Sequence, residues 1–248
     1  MHKTNFMHKT ALPHQPDSAP ALVVQAVSQL RDAIMWVKFP PGAKLKVAEL
    51  QDKLGLSSSP LREALSRLVS EGLVEAEERR GFRVAEVTVD EFEDVARMRI
   101  LLEQEAVGLA IRRGDDAWEA EIVGAFHRLA VVEERLPDIA PSLDRDWSER
   151  HRVFHMALLA ACGSPHLLRL CGDFFQRAER FRRISARFRE QPRRKSDEHA
   201  EIMRAVLARD TKAASRLLER HIRQTADNVA AVLVASRAAS IAAAGRKR

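Results

Sequence analysis

Two cysteines in 248 residues are too few for a zinc ribbon or a disulfide framework. Both, Cys162 and Cys171, fall in helical, apolar stretches, where a buried free thiol is the expected state. No apolar run approaches the roughly 18–20 residues that a membrane span needs, so no membrane partner is expected. The opening MHKTNFMHKTALPHQPDSAP has no apolar signal-peptide centre. It reads as a polar, proline-bearing disordered tail over residues 1–20, and a cytoplasmic location is expected. Its repeated MHKT is assigned no function. Catalytic apparatus is also missing. HRVFH, residues 151–155, lacks the glutamate that follows the first histidine of a zincin helix. No Ser/His/Asp or Cys/His set stands out, so no enzyme is expected.

What is present suits a packed protein. Apolar residues make up 46% of the chain and charged residues 31%. The length fits one large domain or two modest ones. The net charge of +6 permits a nucleic-acid partner without requiring one. The surplus is not concentrated in residues 21–86, which hold ten Lys/Arg against nine Asp/Glu. Much of it lies in FRRISARFREQPRRK, residues 181–195, which reads as a solvated helix end and loop.

Along ALVVQAVSQLRDAIMWVK, Val23, Val27, Leu30, Ile34 and Val37 recur on one helical face, and FPPG stops the helix. VAELQDKLGL reads as a short second helix ending near Gly55. SSSPLREALSRLVSEGL reads as a third, with Ser59 as its cap, Pro60 at the first helical position, where its missing N–H costs nothing, and Gly72 at its end. VEAEERRGFRVAEV then alternates like two strands joined by a turn at Arg80-Gly81. Three small helices and a hairpin describe a winged helix-turn-helix over residues 21–86. Leu61, Leu65 and Leu68 face inward on the third helix, leaving Arg62, Ser66 and Arg67 exposed. Ser57, Ser58 and Ser59 form its polar, narrow tip, which suits entry into a major groove.

The run LGLSSSPLREALSRLVSEGLVEAEERRGFRVAEV resembles the N-terminal domain of GntR-family bacterial transcription regulators. The resemblance is carried by Pro60-Leu61-Arg62-Glu63-Ala64-Leu65, Leu68, Glu71-Gly72-Leu73-Val74 and Gly81. It implies that double-stranded operator DNA is the partner and that Arg62 contacts it. It also implies that the wing tip around Arg80 and Gly81 approaches the minor groove. Many members carry Arg where this chain has Ser58, so that contact differs here. Ser57, Ser58, Ser59, Arg62, Arg67, Arg80 and Gly81 are the candidate DNA-binding residues.

After VTVDEF the strand patterns cease. Six helices are expected near 90–112, 115–135, 141–161, 165–189, 196–208 and 211–236. Together they make an all-helical ligand-binding and dimerisation domain over 91–236, with 237–248 a frayed tail. The fold class is therefore mainly α.

Four of the nine histidines lie on inward stripes of this half. His151 and His155 share one with Leu158 and Cys162. His199 shares one with Ile202, Met203 and Val206, and His221 with Leu217, Leu218 and Thr225. His127 and His166 have no companions at ligand spacing. One buried neutral imidazole needs a hydrogen-bond partner or costs about 1–3 kcal/mol. Four together ask for something that uses their lone pairs, and a divalent metal does. The same half resembles the FCD-type ligand-binding domain of the FadR branch, especially in EHAEIMRAVLARDTKAASRLLERHI, residues 198–222. That resemblance implies a metal held by an Asp and three His. The matching positions here are His151 for the Asp, then His155, His199 and His221. Four nitrogens and no carboxylate favour Zn²⁺, with Ni²⁺ or Co²⁺ as alternatives, over Mg²⁺ or Ca²⁺. Asp144, Asp146 and Glu149 are close enough in sequence to support these ligands, although helix phase places none of them directly at the His151 face.

Arg99 falls within the apolar stripe Phe92, Val95, Leu102 and Ala106, so it needs an anion. Glu103 one turn on is one candidate; the carboxylate of a bound effector is the other, and the resemblance supports a shared role. PLREALS, GFRVA, GDDAWEAEIV and HxxFH with CGS further resemble the group containing a glutarate-responsive, carbon-starvation-associated repressor. The implied function is a homodimeric repressor whose operator affinity responds to a small carboxylate, such as a dicarboxylate. A regulator that answers to the metal itself is the alternative, and a metal-dependent enzyme a weaker one.

Overall fold

The computed structural model describes residues 19–78, 80–136, 141–188 and 197–245, the last ten as backbone only. Most of the tail expected over 1–20 and the side chains of the one expected over 237–248 therefore lie outside the described residues. Two compact units result, one taking residues to 32 and 43–84, the other residues 33–42 and 85 onward.

In the first unit α1 (Ala19–Met35, its last three residues counted with the second unit), α2 (Val47–Leu54) and α3 (Ser58–Ser70) accompany strands β1 (Lys44–Leu45), β2 (Val74–Glu77) and β3 (Gly81–Val84). The strands form an antiparallel sheet in the order β1-β3-β2, with Val74 opposite Val84 and Glu77 opposite Gly81. The expected hairpin thus gains a third strand. Two-residue β1 has no period long enough to read from sequence. Gly55 ends α2 in the left-handed region, at φ 66°. The α3 cap is Ser57, two residues before the expected Ser59. Pro60 accordingly stands at the third helical position, where a missing N–H still leaves no helical carbonyl unserved. Leu61, Ala64, Leu65 and Leu68 are buried on α3 with Leu30, Leu50, Val74 and Val84 in the core. Arg31 of α1 forks onto Glu71, just after α3, at 2.9 and 2.6 Å.

The second unit holds α4 (Val89–Arg113), α5 (Asp116–Arg135), α6 (Arg145–Leu159), α7 (Pro165–Phe188), α8 (Glu198–Leu207) and α9 (Thr211–Gly245). Thr88, Asp115 and Asp144 cap α4, α5 and α6 by accepting from the backbone N–H three residues on. α9 runs past 236, where sequence reading ended it, because ASRAASIAAAG is rich in alanine, the strongest helix former. α4 packs against α7 and α9, α5 against α6 and α8, and α8 against α9. Phe154, Phe181, Ile122, Leu129, Leu158 and Ile202 are buried in the core between them. Cys162 and Cys171 are buried free thiols, and burial pushes the Cys171 thiol up to about 12. No described helix is long and apolar enough to cross a membrane.

Gly163 turns the chain between α6 and α7 at φ 71°. A methyl group there collides with Arg113 Nη1, and that guanidinium donates to Cys162 O at 2.5 Å. Gly163→Ala is expected to destabilise the second unit by about 1–3 kcal/mol in denaturant unfolding. A change within about 0.5 kcal/mol, the range of ordinary surface substitutions, would contradict this.

Candidate metal centre

α6 carries His151 and His155 one turn apart, α8 carries His199 and α9 carries His221. Taking one ring nitrogen from each, all four atoms lie within 4.8 Å of one another. His151 and His155 are each 1% exposed, His221 5%, and the His199 side chain 12%. Four nitrogens placed tetrahedrally at about 2.1 Å from one ion sit about 3.4 Å apart. Closing on one from separations of up to 4.8 Å therefore takes shifts of up to about 0.8 Å per nitrogen. Both nitrogens of His155 are buried without a hydrogen-bond partner among the described residues. An orphaned imidazole facing three others is what a nitrogen-ligated cation would resolve, so the donor set fits a divalent ion.

The surroundings hold the rings neutral. Burial drives His151 and His155 well below the ordinary 6.5, aided at His151 by the Arg182 charge and at His155 by the neighbouring imidazoles. Burial also lowers His221, against the upward pull of Glu198. Glu198 Oε2 lies 2.7 Å from His221 Nδ1, leaving Nε2 for the centre. His199 Nδ1 lies 3.8 Å from Glu133 Oε1, which also accepts from Trp147 Nε1 at 3.0 Å. His151 stacks on Trp147, its Nδ1 3.2 Å from Arg182 Nη2 and 3.9 Å from Glu179 Oε1.

With lowered histidines, the folded chain binds fewer protons than the unfolded one below pH 6.5. Stability of metal-free protein should therefore be flat above about 6.5 and fall as pH drops through that value. With three such rings the slope is up to about 4 kcal/mol per pH unit. His155→Phe should remove about one proton from that slope. Acid unfolding curves with equal slopes for the two proteins would contradict it.

Arg99 is buried and its Nε donates to Glu103 Oε1 at 2.7 Å, so the intrahelical partner exists. Its Nη2 has no hydrogen-bond partner among the described residues, and the guanidinium lies over the Phe175 ring at 4.8 Å. The supporting acids differ from those expected. Asp144 caps α6, Asp146 pairs with Arg150 and Glu149 with Arg152. Glu133, Glu179 and Glu198 stand there instead, on α5, α7 and α8. Glu198 was readable as the neighbour of His199; the other two follow only from helix packing. The solvated reading of 181–195 fails over 181–186, which is buried. Arg182 pairs with Glu179 at 2.7 Å, and Arg183 lies 3.9 Å from the Trp36 ring centroid and donates to Met35 O.

In the first unit Ser57, Ser58, Ser59, Arg62 and Arg67 are all exposed along the start of α3. Arg67 pairs with Glu63 at 2.6 Å; Arg62 makes no ion pair with a described residue. Arg80 is exposed in the wing turn, its N–H bonded to Glu77 O at 3.0 Å, and Gly81 opens β3 at φ 96°.

Residues 22–84 match the model of the bacterial regulatory proteins, gntR family, and residues 94–224 match the FCD domain. The chain belongs to the GntR family of regulators with an FCD domain. The Escherichia coli (strain K12) transcriptional repressor GlaR is 38% identical over 78% of this chain and 89% of its own. The HTH-type regulator BphR of Paraburkholderia xenovorans (strain LB400) is 34% identical over 82% of each chain. The solved structure of E. coli McbR/YncC covers 87% of the regulator and 98% of its own chain, with a TM-score of 0.66 at 23% identity, a likeness of fold. The regulator is thus a DNA-binding transcription factor and not an enzyme, and its mainly α, winged-helix-plus-bundle architecture is that of its family.

Proposed function

We propose that this regulator is a homodimeric repressor whose operator affinity is set by a small carboxylate bound in the helical unit beside a metal. The observation that carries this reading is the cluster of four neutral imidazoles, able to take up a cation, with the buried Arg99 charge close enough to act on His155 and His221. His151, His155, His199 and His221 would hold the ion, Zn²⁺ before Ni²⁺ or Co²⁺ because every donor is a nitrogen. A bound divalent ion supplies a charged centre that accepts an anion's oxygen. Glu198 holds His221 by its Nδ1 and so fixes which nitrogen faces inward. Arg99 keeps Nε on Glu103 and offers Nη2 to the effector. A dicarboxylate such as glutarate is the effector the sequence resemblance favours. Ser57, Ser58, Ser59, Arg62 and Arg67 would meet the major groove, with Arg80 and Gly81 at the wing. Effector binding then acts by preferring the dimer geometry that fits the operator less well.

One feature favours a second reading. Four protein nitrogens would by themselves fill the coordination of a closed, structural-type site. In that case the metal is itself the signal. Operator DNA selected from random sequence and titrated by fluorescence anisotropy separates the two. With Zn²⁺ present, glutarate should weaken binding, and a chelator should abolish that effect. A glutarate response unchanged by the chelator would overturn the metal-dependent reading; a response to Zn²⁺ alone selects the second.

A further inference from the structure

Three of the four imidazoles have an acid beside Nδ1, at 2.7 Å for His221, 3.8 Å for His199 and 3.9 Å for His151. His151 Nδ1 also has a cation closer than its acid, Arg182 Nη2 at 3.2 Å. A guanidinium has N–H donors and no acceptor. The contact is therefore Arg182 donating into the Nδ1 lone pair, and a neutral His151 then carries its proton on Nε2.

A divalent ion has two ways to bind this ring. Through Nδ1 it needs the lone pair that Arg182 occupies. Through Nε2 it needs the ring proton moved to Nδ1, and an N–H cannot accept from Arg182. On both routes the coordination bond and the Arg182 hydrogen bond exclude each other. We propose that Arg182 is a built-in competitor for His151, so that a metal completes the four-nitrogen set only by breaking the Arg182–His151 contact. Glu179 makes the exchange feasible inside the protein. Its Oε1 already pairs with Arg182 at 2.7 Å, so the displaced guanidinium keeps a counter-charge. The same oxygen lies 3.9 Å from His151 Nδ1, where it can accept from a Nδ1–H. Arg182 is thus a positioning residue that sets metal affinity and never touches the ion. The inference rests on the metal reading above.

Co²⁺, followed by its visible absorption, is the probe for full-length wild type, R182M and R182K. R182M should bind Co²⁺ roughly ten- to a hundredfold more tightly, the equilibrium value of one hydrogen bond to a charged group. R182K, which keeps a charged donor, should return most of the way to wild type. R182M binding no tighter than wild type would overturn the role of Arg182 while leaving the metal site standing. No Co²⁺ binding by any of the three removes the metal site and the proposal with it. Long-range ¹⁵N–¹H spectra of the wild-type histidines test the same point without a variant, and settle it if R182M fails to fold. Metal-free His151 should be protonated at Nε2 and accept at Nδ1, and Zn²⁺ should change that pattern. A metal-free His151 protonated at Nδ1 would overturn the proposal.

Discussion

Arg62→Ala should cut operator affinity by at least about thirtyfold while leaving the fold and the helical unit intact. A base-edge contact by arginine is worth about 1–3 kcal/mol, and the dimer proposed above would make it twice, giving about 2–6 kcal/mol in all. The stability cost is small, because Arg62 is exposed and pairs with no described residue; such substitutions stay within about 0.5 kcal/mol. Arg67 is the internal comparison. Its guanidinium is already engaged by Glu63 on the same helix, so Arg67→Ala should cost DNA affinity less than Arg62→Ala does. Affinity measured across salt concentrations adds discrimination: a phosphate contact lowers the salt slope, whereas a base contact leaves most of it. Wild-type affinity in Arg62→Ala would refute the placement of α3 in the groove.

The second large effect belongs to the double replacement His199→Ala with His221→Ala. It deletes the ligands from α8 and α9 and leaves only the α6 pair, so bound metal should fall to background. In wild type, metal at 100 times its Kd should add about 2.7 kcal/mol of stability. For a protein of this size that is a rise of about 5–10 °C in Tm. The double variant should show no metal-dependent rise. A double variant that retains the Tm rise would show that the ion binds elsewhere.

The two effects fall on different units and should be separable. Arg62→Ala keeps the metal-dependent Tm rise, and the histidine variant keeps DNA binding in the absence of effector. A single substitution that abolished both would mean that the units fold as one and that neither result reports on its own site.

How much of this was legible in the chain depends on range. The long helices announced themselves because apolar spacing and the Gly- and Pro-bearing breaks between them act within one or two turns. The four histidines were legible because each lies on an apolar stripe of its own helix. The failures are of another kind. Strand β1 owes its existence to a partner strand far along the chain. Arg182 and Arg183 look like solvent-facing charge in a basic run, yet Trp36, Trp147 and Glu179 gather round them only once α7 is packed. The acids behind the imidazoles follow the same rule: Asp144, Asp146 and Glu149 are near in sequence and spent on capping or surface pairs, while Glu133 and Glu179 come from other helices. Local pattern gives the ligands and tertiary packing gives their support.

Elemental analysis of the purified wild-type protein, exposed to Zn²⁺ and freed of excess, tests the central claim most directly. One divalent ion per chain is expected, reduced to background by the His199→Ala, His221→Ala double replacement. A folded wild-type protein that retains no metal would contradict it.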